Sequence, residues 1–277
     1  MLSTGNDWYS SCLKGCCALL SLASLSYFVQ PLFSRRHTSS QFTPSPLVHA
    51  QMAMRIVCVS DPHGSYAQLN IPAGDLLLFA GDWELHTKED AQELSAWLRN
   101  QPHAHKVITF GNMDHGAEET PEEVISILSK EAVVCKDRFC DVAGLRIFGS
   151  PSTPEFYGSF QLSDYADAEQ HWNKLLPAHS RADIILTHGP PLGYGDTTNG
   201  RHVGDKALLE AVQGLGEPPK LWVCGHIHAA RGVYKVPHKK GDILLINAAL
   251  PRDPRMRTYQ VNFPSMEVRE GPPARGR

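Results

Sequence analysis

The sequence contains no C-x-x-C pair, no N-x-[ST] acceptor and no G-x-G-x-x-G run after an apolar segment. The first absence speaks against a thiolate-held structural zinc, and the third against a dinucleotide fold. Seven cysteines are an odd number, and Cys58 and Cys224 fall inside apolar runs where a thiol behaves as a small hydrophobe. With no glycosylation acceptor, this favours a reducing, intracellular setting over secretion. A large excess of either charge is also missing, with 26 basic against 29 acidic residues. A formal net charge of -3 gives no reason to expect specific nucleic-acid binding or an acidic membrane as the main partner.

Acid is nearly missing from the first fifty residues, where Asp7 stands alone. Cys16 to Val29 is mostly apolar but interrupted by serines, and Gln30, Pro31 and the pair Arg35-Arg36 follow it. The stretch falls short of the roughly 18–20 continuous apolar residues of a spanning helix. Residues 1–52 therefore read as an N-terminal extension with three competing uses: a signal anchor that tethers the chain to a membrane, an organelle transit peptide, or an upstream segment with folding starting near Met52 or Met54. Pro44-Ser45-Pro46 reads as a linker. A folded domain is expected over 53–270, with a flexible tail over 271–277.

What is present is apolar substance and histidine. Apolar residues make up 42% of the 277, enough to bury a full core. Arg55–Ser60 and Asp75–Ala80 are continuously apolar, as strands covered on both faces should be. Further strands are predicted at Lys106–Phe110, Leu145–Gly149, Asp183–Thr187, Leu221–Cys224, Val233–Val236, Ile243–Ile246 and Thr258–Val261. Helices are predicted at Lys88–Asn100, from a Thr120 cap with Pro121 in the first turn to Lys130, and near Asp164–Leu176 and Asp205–Val212. The pattern gives an α/β class with two packed sheets flanked by helices.

Five of these strands end in clusters of potential metal ligands. They read Asp61-Pro62-His63, Gly81-Asp82, Gly111-Asn112-Met113-Asp114, His188-Gly189-Pro190-Pro191 and Gly225-His226-Ile227-His228. The carboxyl ends of parallel strands line one crevice, so ligands distributed this way converge. The two-residue offsets Asp61/His63 and His226/His228 place both side chains on one side of an extended segment. Each piece alone is commoner as a turn; the conjunction of five points to a joint site. Carboxylate, imidazole and amide oxygen suit Mn²⁺, Fe or Zn²⁺ better than Ca²⁺.

The order D-x-H, G-D, G-N-x-D, H-G-P-P, G-H-x-H resembles the calcineurin-like metallophosphoesterase superfamily. Gly149-Ser150-Pro151, Thr153–Phe156, Asp183–Leu192 and Pro219 through Ile246-Asn247-Ala248 are similar to its metallophosphoesterase-domain-containing branch, and the likeness spans most of Arg55 to Val268. The resemblance implies a four-layer α/β/β/α sandwich of two mixed sheets. It implies two divalent ions, Mn²⁺ first among them, with one held by Asp61, His63, Asp82 and His228. The other would be held by Asp82, Asn112, His188 and His226, with Asp82 bridging and a shared hydroxide as nucleophile. Asp82, Asn112, Asp114 and His226 are the residues expected to serve the chemistry, Asp114 by capping its loop or the following turn. The implied substrate is a small phosphate ester or nucleotide.

Position 113 departs from the family, whose motif has a histidine there. A thioether donates no proton. This favours phosphodiesters or activated aryl phosphates, whose leaving groups need less help. The alternative is a nucleotide-binding or scaffolding member that turns over poorly. No H-x-H-x-D-H run supports a different dinuclear hydrolase. His115 reads as a solvated loop residue rather than a substitute acid. His86, His103, His105, His171, His179, His202 and His238 likewise read as solvated, and Arg201 as a solvated charge. Asn247 is a candidate supporting residue at a strand end. Trp83 and Tyr194 read as packing residues.

Overall fold

The computed structural model describes residues 53–251 and 257–273. Its strands in chain order begin with β1 (Met54–Val59), β2 (Leu76–Ala80), β3 (His105–Thr109) and β4 (Val133–Val134). Next come β5 (Arg138–Val142), β6 (Leu145–Ser150), the short β7 (Thr153–Pro154) and β8 (Gln161–Leu162), and β9 (Ile184–Thr187). The two-residue β10 (Thr197–Thr198) and β11 (Arg201–His202) precede β12 (Leu221–Cys224), β13 (Gly232–Val236), β14 (Ile243–Asn247), β15 (Arg257–Phe263) and β16 (Glu267–Pro273). Helices are α1 (Lys88–Arg99), α2 (His115–Glu119), α3 (Pro121–Leu128), α4 (Tyr165–Leu175) and α5 (Lys206–Gly214).

Two six-stranded mixed sheets result, ordered β16-β15-β1-β2-β3-β4 and β13-β14-β12-β9-β6-β5. In the first, β1 to β4 are parallel and β15 runs antiparallel against β1. In the second, β6, β9, β12 and β14 are parallel, with antiparallel edges. The period of two explains the layers. Ile56, Cys58, Leu76 and Leu78 face Ile147, Leu186, Val223 and Ile246 between the sheets. Their neighbours Val57, Leu77 and Phe79 pack under Leu94 and Leu98 of α1 and Leu128 of α3. On the far side Ile185, Trp222 and Leu245 meet Trp172 of α4 and Leu208 of α5. This is the four-layer α/β/β/α arrangement. Each large side chain so buried contributes about 1.5–3 kcal/mol, which is why these strands read as unbroken apolar runs.

Several expectations are corrected. Thr120 precedes α3, but its hydroxyl donates to the Gly116 carbonyl at 3.0 Å and caps nothing. Helix α1 instead carries a full capping box between Thr87 and Asp90. The edge strands β5 and β16 were not anticipated, because one exposed face leaves them no continuous apolar run. Strand β16 continues to Pro273, into the expected tail; its Pro272 and Pro273 are tolerated on an edge that needs no donor there. His103 is buried rather than solvated, 3% exposed beside Gly74 and Val57. His171 is partly buried, its Nε2 lying 3.7 Å from Asp137. Cys135 and Cys140 are joined as a disulfide, and Cys58 and Cys224 are buried thiols. No described helix is long and apolar enough to cross a membrane, and the expected N-terminal anchor or transit segment lies outside the described residues.

Candidate metal centre

The seven ligand candidates sit just past the ends of β1, β2, β3, β9 and β12, and the two sheets join there. Asp61 N–H donates to the Gly81 carbonyl (3.0 Å), Gly225 N–H to His188 (2.9 Å) and Leu250 N–H to Ser60 (3.0 Å). The turn of chain after each strand is tight. Asp61, His63, Asp82 and His226 all take positive φ, between 43° and 66°. Such angles are uncommon for residues with a Cβ and cluster where function over-determines the backbone. Gly111 and Gly225 make room: a methyl on the first would strike Asp82 and His188, and on the second Asp61 and Ser60.

Two groups of donors form. Asp61, His63 and His228 offer ligand atoms within 4.8 Å of one another, and so do Asp82, His188 and His226. Asp82 stands between them, its Oδ2 3.8 Å from His63 Nε2 and its Oδ1 3.3 Å from His188 Nε2. Asn112 Oδ1 lies 3.0 Å from His188 Nε2, while its amide nitrogen donates to the Tyr157 carbonyl (2.9 Å), which fixes which end faces the site. His188 Nδ1 donates to the Ala80 carbonyl and His228 Nδ1 to that of Leu250, each at 2.7 Å. These bonds leave Nε2 of both rings as lone-pair donors. His63 Nδ1 lies 3.3 Å from Glu84 Oε1, and its Nε2 is 3.0 Å from His228 Nε2. Lone pairs thus converge on common points from imidazole, carboxylate and amide oxygen, a set that fits divalent cations of intermediate hardness.

Two of these donors titrate below their ordinary range. Burial raises the Asp61 carboxyl, but His188, His228, the Ser60 hydroxyl and the His226 N–H outweigh it and hold it below the usual range. Burial, reinforced by His188, pushes His226 down to about 3. Asp114 is fully buried and accepts four backbone N–H bonds, from Asp82 (3.1 Å), Trp83 (2.9 Å), Leu85 (3.1 Å) and Gly111 (2.8 Å). Burial and the nearby Asp82 push its carboxyl up to about 7, against the pull of those donors toward the anion. It clamps the loop after β2 to the loop after β3 rather than facing the cleft.

The profile of the family described as calcineurin-like phosphoesterase matches residues 54–230. The chain belongs to the calcineurin-like phosphoesterase family. It is 34% identical over 206 residues to metallophosphoesterase domain-containing protein 1 of Homo sapiens and of Mus musculus, a match covering 65% of this chain. It is 31% identical over 222 residues to UPF0046 protein C25E10.12 of Caenorhabditis elegans, covering 71% of this chain and 75% of that one. The chain spans 62% of the length of the two mammalian relatives.

In this calcineurin-like phosphoesterase the site opens on a cleft of about 730 Å³. His63, Asp82, Asn112, His226 and His228 line it together with Met113. His188 and Asp61 lie beneath, both buried. His115 does not replace the missing histidine: its ring bonds the Ser159 hydroxyl (3.0 Å) and stacks on His86. Arg201 is exposed and does not line the cleft. Asn247 is buried and supports the rim, donating to Gly195 (2.8 Å) and Ile227 (3.0 Å). Trp83 is packed against Phe79, and Tyr194 against the core under α4 and α5. Sequence reasoning missed Glu84, although its two-residue offset from Asp82 was an available signal. It also missed the backbone carbonyls that orient the rings, which no side-chain pattern encodes.

Proposed function

We propose that this chain hydrolyses phosphodiesters, and activated aryl phosphates, at a centre of two divalent ions, Mn²⁺ first among the candidates. The observation that carries the reading is the composition of the cleft. Met113 N–H donates to Asp82 Oδ1 (2.9 Å), so the residue is anchored at the centre, and it lines the cleft. A thioether there neither protonates a departing alkoxide nor pairs with a phosphoryl oxygen. Among the described residues no Lys or Arg lines the cleft. A diester monoanion needs less positive charge than a monoester dianion or a polyphosphate. Both features therefore favour diesters and good leaving groups.

When bound, the ions would supply the water-derived nucleophile and offset charge on the phosphoryl oxygens. The chain's own part would be to hold them: His63, His188 and His228 are oriented by Glu84, Ala80 and Leu250, and Asp82 would be shared. Asn112 is held by Tyr157 with its carbonyl oxygen toward the second group.

The test is Mn²⁺-dependent hydrolysis of bis-p-nitrophenyl phosphate, abolished in Asp82→Ala. A scaffolding protein would purify with little metal and show no turnover. Met113→His should then raise rates on alkyl esters by roughly 10²-fold, the low end for a general acid, and on p-nitrophenyl esters by much less. Equal gains on both would refute the leaving-group argument.

A further inference from the structure

Among the described residues few large apolar side chains stand in water, and three of the five line one cleft. Among the described residues the two most exposed are neighbours, Phe156 at 79% and Tyr157 at 62%, and both line the cleft over the metal centre. A third, Val203 at 41%, lines the same cleft. Of the other exposed large residues, Tyr165 is engaged by Glu210 and Lys206, and Val233 sits on edge strand β13. Exposed apolar surface gathered at one functional cleft marks a binding surface.

The backbone beneath these two rings is fixed. Phe156 N–H donates to Gln161 Oε1 (2.6 Å), whose amide nitrogen donates to Ser159 O (2.8 Å) and Thr153 Oγ1 (2.9 Å). The Tyr157 carbonyl accepts from Asn112 Nδ2 (2.9 Å), and Ser159 N–H returns a bond to the Asn112 carbonyl (2.9 Å). Between them Gly158, at φ 91°, lies so close to Asn112 that a side chain would collide with its carbonyl. The two aromatic residues are thus held at a set distance from a metal-ligand candidate, with their side chains unburied. The Phe156 ring also stands nearly perpendicular to the ring of His226, centroids 6.1 Å apart. A cleft of about 730 Å³ is far larger than a phosphate and falls in the range for a ligand with a substantial organic part.

We propose that Phe156 and Tyr157 form a stacking platform for a planar aromatic ring carried on the phosphate ester, with Val203 on the same wall. This rests on the phosphoesterase reading above and deepens it: the phosphate goes to the centre and the ring to the lip. An aromatic face accepts any flat π-system, so the shared chemistry is the ring, whether a nucleobase or a simple aryl group.

The test uses the full chain loaded with Mn²⁺ and two non-hydrolysable probes, phenylphosphonate and methylphosphonate, titrated by calorimetry. Wild type should bind the phenyl compound about ten-fold more tightly, from one stacked ring. Phe156→Ala with Tyr157→Ala should reduce that ratio to about one, and Phe156→Trp should keep it. A ratio unchanged in the double variant, or no preference in wild type, overturns the platform. If those results accompany intact hydrolysis of bis-p-nitrophenyl phosphate, the hydrolase reading survives alone. If wild type binds neither probe and hydrolyses nothing, both fall. A nucleoside phosphonate separates the two sources of ring: binding tighter than phenylphosphonate and dependent on the same side chains assigns a nucleobase, and equal binding assigns a plain aryl group.

Discussion

Glu84 shows how a candidate metal ligand is positioned by the residue beside it. It sits beside His63 Nδ1 and leaves Nε2 to the centre. Glu84→Gln should weaken one of the two cations by about 10–100-fold, the usual cost of removing such a partner, and leave the other nearly unchanged. Mn²⁺ titration followed by electron paramagnetic resonance reads this directly; equal weakening of both sites would contradict the assignment of Glu84 to His63. Asp114→Asn addresses the clamp. An amide brings its own N–H₂ to a pocket built from four N–H donors, so at least one bond is lost and a donor faces a donor. We expect a loss of about 1–3 kcal/mol in urea denaturation. At this scale the seven donors were legible because each stood at a strand end. His103 was not: nothing in its neighbours distinguishes a buried ring from a solvated one.

The elements that place the site were legible for a physical reason. Strands covered on both faces must be apolar throughout, and β1, β2, β9 and β12 carry the ligand loops at their ends. Edge strands obey no such rule, and β5 and β16 escaped notice with their charged, half-exposed residues. Helix starts were legible in kind rather than in detail. Thr120 has the right residue type but spends its hydroxyl on Gly116, whereas Thr87 accepts from Asp90 N–H and completes a capping box. Thr87→Ala should therefore cost about 0.5–2 kcal/mol, and Thr120→Ala distinctly less, by thermal or chemical unfolding. Gly225→Ala tests the loop after β12. Its methyl would displace Asp61, so metal binding should fall while far-UV circular dichroism stays native.

For the molecule as a whole, the buried His103 makes one pH-dependent contribution to stability. Burial pushes its pKa below the ordinary value, with Asp75, Arg55 and Lys106 as the charged groups around it. Below about pH 6.5 the unfolded chain takes up a proton that the folded one resists. The His103 contribution should fall as pH drops from that value toward its folded pKa and change no further beneath it, while the buried His226 adds to the fall and the raised Asp114 carboxyl opposes it. His103→Gln should flatten this part of the stability–pH curve, and an unchanged slope would remove His103 as the cause.

The four-layer frame was legible in outline, since alternating strand and helix patterns with doubly covered strands leave few other arrangements. The meeting of the two sheets at one rim followed from the ligand order together with the family likeness, and bridges such as Ser60 to Ala249 now show how it is built. On the proposed function this rim holds a pair of cations. Metal content by mass spectrometry, after loading with Mn²⁺ and removal of excess, tests it most directly. We expect about two ions per chain in wild type and about one in Asp61→Asn with His63→Ala; one ion or none in wild type would rule out the paired site.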